Sequence, residues 1–212
     1  MSLRERQKAD RRTKIIDAAK GLFAKSGLDN ITMEAIAEIA GVSSMTVHNY
    51  YGTKSGVLLA LVADSDAALL ETFANELTGR FDDLPGLVIA FASIICDHTL
   101  SHLDKAIWRQ VIAASVGDSD TRFGELYNAL DDRLADVLVR EVERLQVAGR
   151  LNSSVSAYDL GKALFYLQNA RFIQFISDDS VKKRETLDLL KRDITALFAV
   201  SHRDLGQGGR DQ

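Results

Sequence analysis

Two residue types that often shape small protein folds are nearly missing from this sequence. Its 212 residues include one proline, at position 85, and one cysteine, at position 96. Because proline is the strongest breaker of helices, its near absence favours an all-α chain. A single cysteine cannot form a disulfide within the chain, which excludes a disulfide-stapled secreted fold and suits a reducing cytoplasm.

Long apolar runs and targeting segments are also missing. No uninterrupted apolar run reaches the length of a transmembrane helix, and the N-terminal residues, MSLRERQKADRRTK, lack the apolar core of a secretory signal. We therefore expect a soluble cytoplasmic protein without a membrane partner.

Catalytic motifs are absent as well. Histidine occurs only at positions 48, 98, 102 and 202, none in a recognisable nucleophile motif, and there is no glycine-rich phosphate loop. We therefore expect no enzyme activity, no catalytic residues and no cofactor. His98 and His102 have the i, i+4 spacing that can chelate a metal ion. Since histidines on helix surfaces are commoner than metal ligands, we expect no metal site and keep metal sensing as an alternative.

The charge is distributed unevenly. The net charge is −4, yet residues 1–54 contain nine Lys and Arg against six Asp and Glu, and the remainder contains 17 against 24. A basic segment attached to an acidic body is typical of a DNA-binding domain on a body that does not bind DNA. The basic residues concentrate at positions 4–14, which we expect to precede or begin a first helix over about 10–26.

Two short helices with good capping residues follow. Thr32 can cap MEAIAEIA, and Gly41 can supply the left-handed turn that ends it. Ser43 can then cap a second helix that runs to Tyr51. Its side chains sort onto two faces, with Val47 on the inner face and Met45 and Asn49 nearly opposite. A helix, a turn that begins with glycine and a second helix with one polar face form the helix-turn-helix pattern.

These residues resemble the DNA-binding domain of the TetR family of bacterial transcriptional repressors. The similarity covers about residues 12–59, including IIDAAKGLFAKSG and ITMEAIAEIAGVSSMTVHNYYGTKSGVLLAL. The chain departs from the family pattern at Met45, His48 and Asn49, which bear on the operator that is read. It also departs at Gly56, where an interior glycine is expected to loosen the next helix by roughly 1 kcal/mol relative to alanine.

The resemblance implies a homodimer that binds double-stranded DNA at a palindromic operator and is released by a small-molecule effector. Asn49 is expected to pair with an adenine edge and Met45 to contact a thymine methyl. Phosphate contacts are expected from Thr46, His48, Tyr50, Lys54 and Thr32. The full set of expected DNA-binding residues is Arg12, Thr32, Ser43, Ser44, Met45, Thr46, His48, Asn49, Tyr50 and Lys54.

The rest of the chain reads as a helical bundle. We predict a DNA-binding domain over 1–52, comprising a basic arm and the helix-turn-helix, a helical ligand-binding and dimerisation domain over 53–202, and a disordered tail over 203–212. A ligand cavity is implied by the family. The aromatic and polar residues that can line it are Phe73, Phe91, His98, Trp108, Arg109, Phe123, Tyr127, Phe165, Gln168, Asn169 and Phe172.

The homodimer interface is expected on the last two helices. The segment AYDLGKALFYLQNARFIQFI is apolar nearly all round and must be covered on several sides. A four-helix bundle across a two-fold axis would cover it. The expected interface residues are Phe172, Leu187, Leu190, Ile194 and Leu197. Two alternatives remain: the same fold answering a metal ion or a partner protein, and a helical interaction protein without an operator.

Overall fold

The structure, a computed structural model, describes residues 2–27, 30–117 and 121–204, without the side chains at positions 121, 122 and 199–204. Within these ranges the chain forms nine α-helices and no strand, so the predicted all-α fold is confirmed. The helices are α1 (Leu3–Ser26), α2 (Met33–Ala40), α3 (Ser44–Tyr51), α4 (Lys54–Glu76), α5 (Leu84–His102), α6 (Lys105–Gly117), α7 (Thr121–Val147), α8 (Ala157–Ser177) and α9 (Lys183–Asp204). The predicted tail lies outside the described residues from position 205 onward.

Helix α1 begins at Leu3, seven residues before the predicted start, so the basic residues do not form a separate arm. The reason is a capping box formed by Ser2 and Glu5. The Glu5 backbone N–H donates to the Ser2 hydroxyl, and the Ser2 backbone N–H donates to the Glu5 carboxylate at 2.6 Å. Two N–H groups that a helix start leaves unpaired are thereby satisfied.

The two helices of the predicted helix-turn-helix have the expected boundaries. Thr32 caps α2 by accepting the Ala35 N–H at 3.1 Å, and Gly41 ends it in the left-handed conformation, with φ of 66°. Ser43 caps α3 by accepting the Thr46 N–H at 3.2 Å. The helix-turn-helix is thus specified by hydrogen bonds between residues three or four apart.

The chain divides into two compact units. Unit 1 comprises residues 1–70 and 98–132, and unit 2 comprises residues 71–97 and 133–212. Helices α4, α5 and α7 contribute residues to both. These boundaries differ from those of the predicted DNA-binding and ligand-binding domains, and that functional division remains a prediction.

Unit 1 has a core that extends well beyond the three N-terminal helices. Ile15, Ile36, Val47 and Leu58 are fully buried in it, from α1, α2, α3 and α4. The same core includes side chains from the segment after α5 and from α6 and α7, namely Leu103, Ile107, Val111, Phe123, Tyr127 and Leu130. Helices of the predicted ligand-binding domain therefore pack directly against the helices of the predicted DNA-binding domain.

Unit 2 contains a buried carboxylate that organises one of its turns. Glu141 on α7 is 3% exposed and accepts the Gly79 backbone N–H at 3.1 Å and the Arg144 Nε–H at 2.9 Å. Arg144 also donates to the Phe81 carbonyl. These bonds hold the chain that follows α4 against α7, and the hydrogen bonds compensate for the burial of the charge.

Helices α8 and α9 are joined by a bidentate ion pair. The Arg171 guanidinium donates from Nε and Nη2 to the two carboxylate oxygens of Asp193, both at 2.6 Å, and from Nη1 to Gln174 at 2.8 Å. The paired carboxylate raises the pKa of Arg171.

Helix α5 is the one described helix that is long and apolar enough to cross a membrane by composition, and half of its apolar window is buried.

Candidate nucleic-acid interface

Helix α3 exposes three of the residues predicted to contact DNA, and Ser44, Thr46 and Tyr50 on the same helix are partly buried. Met45 is 66% exposed, and His48 and Asn49 are also exposed, whereas Val47 is fully buried in the core of unit 1. Thr32, at the start of α2, and Arg12, on α1, are exposed as well. One face of α3 is therefore anchored in the core, and the other offers a thioether, an amide and an imidazole to solvent.

Both ends of α3 are closed by side chains of the predicted interface. At the first turn the Ser43 and Thr46 hydroxyls share a hydrogen bond of 2.8 Å, in addition to the backbone cap. At the last turn the His48 Nδ1 lies 3.1 Å from the Gly52 carbonyl oxygen. These contacts restrict the rotamers of Ser43, Thr46 and His48, so part of the ordering needed for recognition is present in the free protein.

The turn from α3 to α4 is tighter than expected from the sequence. A Cβ atom built on Gly56 would lie 2.0 Å from the Tyr51 carbonyl oxygen, a distance that non-bonded atoms do not reach. Gly56 therefore permits a close approach of two backbones, and the expected loosening of α4 by this glycine is not its main effect. Thr53 caps α4 by accepting the Gly56 N–H at 3.0 Å. Lys54 lies in the first turn of α4 and is partly buried.

Because α1 starts early, its basic residues become an ordered array. Arg4, Lys8 and Arg12 recur every four residues, so they lie along one helical face, and all are exposed. Lys14 is instead paired with Asp10, at 2.9 Å. We call Arg4, Lys8 and Arg12 the basic stripe. Sequence reasoning treated these residues as an arm, although the Ser2–Glu5 spacing was a signal that could have revealed the helix.

The predicted cavity residues divide between the two units. Unit 2 holds Phe73, Phe91, Phe165, Gln168, Asn169 and Phe172. Phe73 stacks on Phe91 with ring centroids 4.5 Å apart, and Phe165 meets the Phe91 ring edge-on at 6.3 Å. Gln168 is buried on the same helix as Phe165. Of the predicted cavity residues, the structure therefore brings Phe73, Phe91 and Phe165 into one aromatic cluster, and the buried Gln168 lies three residues after Phe165 on α8.

Unit 1 holds the remaining members, His98, Trp108, Arg109, Phe123 and Tyr127. Phe123 and Tyr127 are buried in its hydrophobic core, against which Trp108 packs, and Arg109 is partly exposed. Burial raises the pKa of Tyr127, and the neighbouring Asp131 adds to this effect. The position of Phe123 and Tyr127 is that of core residues supporting the helix-turn-helix.

His98 and His102 stack on each other and do not form part of a larger metal-ligand cluster. Their ring centroids lie 3.9 Å apart, and the His98 Nε2 shares a hydrogen bond of 2.6 Å with the Ser65 hydroxyl. Among the described residues, no group of three or more His, Cys, Asp or Glu lies close enough together to hold a metal ion. His98 is 5% exposed, so its ring belongs to the interior of unit 1.

We expect the stability of the protein to fall as the pH drops from about 6.5 to about 4. Burial, with the neighbouring His102 and Lys20, lowers the pKa of His98 from 6.5 to about 4, against the opposing effect of the Ser65 hydrogen bond. Between these values the unfolded chain binds a proton at this site that the folded chain does not, so acidification favours unfolding. Thermal unfolding across this range checks the prediction. The slope should be smaller in His98→Gln, and an equal slope in both proteins would contradict it.

The residues predicted to form the homodimer interface occupy two different environments. Phe172, Leu190 and Ile194 are at most 5% exposed within a single chain, because α8 and α9 pack on each other and on the rest of unit 2. They are core residues, and their apolar spacing has its explanation inside one chain. Leu187 is partly buried, and Leu197 is 57% exposed. Tyr166 and Ile173 on α8, which are not among the predicted interface residues, are 59% and 41% exposed.

Comparisons with known proteins agree with the helix-turn-helix. Residues 15–61 match the model of the bacterial regulatory proteins of the tetR family. A search of curated protein sequences gives no match. Among solved structures, GusR of Salmonella enterica is 17% identical, with a TM-score of 0.68, and the alignment covers 88% of this chain and 94% of that chain.

Two other similar structures are repressors or regulators with bound ligands. FadR of Thermus thermophilus, a TetR-family transcriptional repressor in complex with lauroyl-CoA, is 22% identical, with a TM-score of 0.64 and coverage of 88% and 93%. The transcriptional regulator FadR of Bacillus subtilis, in complex with stearoyl-CoA, is 16% identical, with a TM-score of 0.66 and coverage of 84% and 96%. Residues 15–61, which include the helix-turn-helix, thus match the tetR family of bacterial regulatory proteins, and over most of its length the chain has the fold of these solved regulators.

Proposed function

We propose that the protein is a homodimeric repressor that binds a palindromic operator and leaves it when a small-molecule effector binds. In this proposal α3 enters the major groove, with Asn49 and Met45 on base edges. Its register on the DNA is fixed by phosphate contacts from Arg12, Thr32, Ser43, Ser44, Thr46, Tyr50 and Lys54. The observation that carries the proposal is the arrangement of α3, which is anchored by Val47 and exposes Met45, His48 and Asn49.

Selection of bound fragments from a random pool of duplex DNA tests this function directly. Two copies of α3 related by a two-fold axis are expected to select an inverted repeat, with half-sites separated by about one helical turn, roughly 34 Å, or a little more. The Asn49→Ala variant is expected to lose preference at one or two base pairs of each half-site. Recovery of unrelated fragments by a folded dimer would overturn the operator proposal.

Lys54→Ala is expected to weaken binding to every duplex by a similar factor. A phosphate contact contributes through charge and counterion release, so its loss reduces the slope of log K against log salt by about 1. Lys54 lies in the first turn of α4, at a helix N-terminus, where the helix dipole favours a bound anion such as a phosphate. Titrations at several salt concentrations check the prediction, with Asn49→Ala as the control whose salt slope should not change. An unchanged slope in Lys54→Ala removes this residue from the phosphate contacts.

We place the homodimer interface on exposed residues of α8 and α9. Tyr166, Ala170 and Ile173 recur on one face of α8 and are all exposed, as is Leu197 on α9. These residues replace Phe172, Leu190 and Ile194 in the proposed interface, because a side chain that its own chain covers has little surface to offer a partner.

Ile173→Glu is expected to convert the dimer into a folded monomer. Burying an unpaired carboxylate at a subunit interface costs several kcal/mol. In the free subunit the same glutamate would be exposed to solvent and would cost little stability. Sedimentation velocity with circular dichroism checks both halves of the expectation. Val147→Glu is the matched control, since Val147 is an apolar residue of α7 that is 85% exposed. A dimer that persists in Ile173→Glu places the interface elsewhere.

The core of unit 1 supports the effector part of the proposal. Ile107, Val111 and Phe123 pack in the same core as Val47, which anchors α3. A shift of α6 or α7 on effector binding would therefore change the core contacts that position α3. A coupling free energy on the order of 1–3 kcal/mol between effector binding and DNA binding is typical of such regulation. Acyl-CoA thioesters are the first effectors to test, because two similar structures contain them. A thermal-shift screen with acyl-CoAs of several chain lengths, followed by operator release, tests this class.

A further inference from the structure

The imidazole of His48 is held by the backbone turn that ends α3. Its Nδ1 lies 3.1 Å from the Gly52 carbonyl oxygen, and the Gly52 backbone N–H donates to the His48 carbonyl oxygen at 2.8 Å. Two hydrogen bonds thus join the same pair of residues. The rest of the His48 side chain is exposed on the proposed recognition helix.

The first of these bonds determines where the ring carries its hydrogen. A carbonyl oxygen can only accept, so Nδ1 must donate. A neutral imidazole has one N–H and one lone pair, and the lone pair is therefore on Nε2. Phosphate oxygens also only accept, so a neutral His48 in this arrangement has no hydrogen to offer the DNA backbone.

We propose that His48 reads a base, by accepting at Nε2 a hydrogen bond from an exocyclic amino group in the major groove. Only adenine N6 and cytosine N4 present such donors there. The inference rests on the proposed function and deepens it, since it moves His48 from the phosphate contacts to the specificity-determining residues. Adenine or cytosine on one strand is the base class that this residue recognises.

Two glycines permit the turn that fixes the ring. Gly52 has φ of 71°, a conformation that side chains with a Cβ rarely adopt. Gly56 leaves room for the Tyr51 carbonyl, which in turn accepts the Thr53 N–H at 2.8 Å. Gly52 is therefore a positioning residue for His48, because its carbonyl is the group that selects the tautomer.

The tautomer can be measured in the free dimer without DNA. In protein labelled with nitrogen-15 at histidine and held near pH 8, well above the usual histidine pKa, ring nitrogen shifts distinguish Nδ1–H from Nε2–H. The His48 signals are assigned by their loss in His48→Phe. An Nδ1–H tautomer supports the inference, and an Nε2–H tautomer overturns it whether or not the protein binds an operator.

The DNA contact is tested by selection and titration at the same pH. In His48→Phe, discrimination at one base pair of each half-site should fall roughly three- to tenfold, the range for one hydrogen bond, while the salt slope stays that of the wild type. A base analogue without the amino group at that position should cost the wild type the same factor and cost His48→Phe nothing.

The opposite pattern identifies a phosphate contact. Uniform weakening of all sequences with a smaller salt slope, as expected for Lys54→Ala, would overturn the base assignment while leaving the operator proposal intact. If the wild type itself selects no duplex, the proposed function fails, and that outcome is visible before any His48 variant is compared.

Discussion

Replacement of Gly56 by alanine is expected to destabilise unit 1 and to lower operator affinity. The added methyl group would lie 2.0 Å from the Tyr51 carbonyl oxygen, so α3 and α4 must separate at the turn that joins them. Overpacking of this kind typically costs about 1–3 kcal/mol and occasionally more, and the Tyr51 backbone cannot move aside as a flexible side chain could. The movement also displaces the last turn of α3, where Tyr50 lies, and affinity is expected to fall roughly tenfold, equal to about 1.4 kcal/mol.

Chemical denaturation and operator titration measure the two effects separately. Gly21→Ala is the matched control, because Gly21 is an exposed residue inside α1 with no heavy atom within 4 Å of an added Cβ. The same substitution there should stabilise the protein by about 0.5–1 kcal/mol, since alanine is the better helix former. A Gly56→Ala protein with wild-type stability and affinity would show that the turn is wider than described.

Gly161→Ala is expected to have a comparable effect in unit 2. A Cβ at Gly161 would lie 2.6 Å from the Val139 Cα and 2.7 Å from its Cγ2, so the backbones of α7 and α8 approach each other closely here. Separating two helices disturbs every contact along them, and a loss of about 3 kcal/mol or more is expected. For a protein of this size, that corresponds to a fall in Tm of roughly 6–12 °C.

A second substitution separates the backbone contact from the side-chain contact. Val139→Ala in the Gly161→Ala background removes the clash with Cγ2 and leaves those with the Val139 Cα and N, the latter at 2.8 Å. Only part of the lost Tm should therefore return. Full recovery would mean that the valine side chain alone limits the approach, and an unchanged Tm in Gly161→Ala would contradict the close crossing itself.

The parts of the fold that the sequence predicts well depend on residues close together in the chain. Thr32, Gly41 and Ser43 act on backbone groups a few positions away, so the limits of α2 and α3 follow from local chemistry. The exposure of Met45 and Asn49 follows from the same argument, because helical periodicity fixes their position relative to Val47. The missed start of α1 was also local, and the Ser2–Glu5 capping box explains it.

The parts that could not be predicted depend on which element covers which face. The stripe of Leu190 and Ile194 marks an apolar face of α9, and periodicity cannot distinguish a partner subunit from α8 of the same chain. The cavity residues pose the same difficulty, since Phe123 and Phe165 are similar in sequence context but belong to different units. From sequence alone, Gly56 and Gly161 are expected to destabilise their helices. The structure shows that each glycine permits a close approach of a neighbouring backbone.

If the proposed operator is bound, the basic stripe on α1 would make the free protein and the complex respond oppositely to salt. Arg4, Lys8 and Arg12 repel one another at a spacing of four residues, and cations in the first turns oppose the helix dipole. Dissolved ions screen this repulsion in the unbound protein, whereas on an operator the phosphates would neutralise it. At low ionic strength this repulsion would destabilise the free helix, and the proposed complex would be stable. Added salt would stabilise the free helix and weaken the complex. Both changes would favour the free protein at higher salt, so the proposed complex would dissociate over a narrow range of ionic strength.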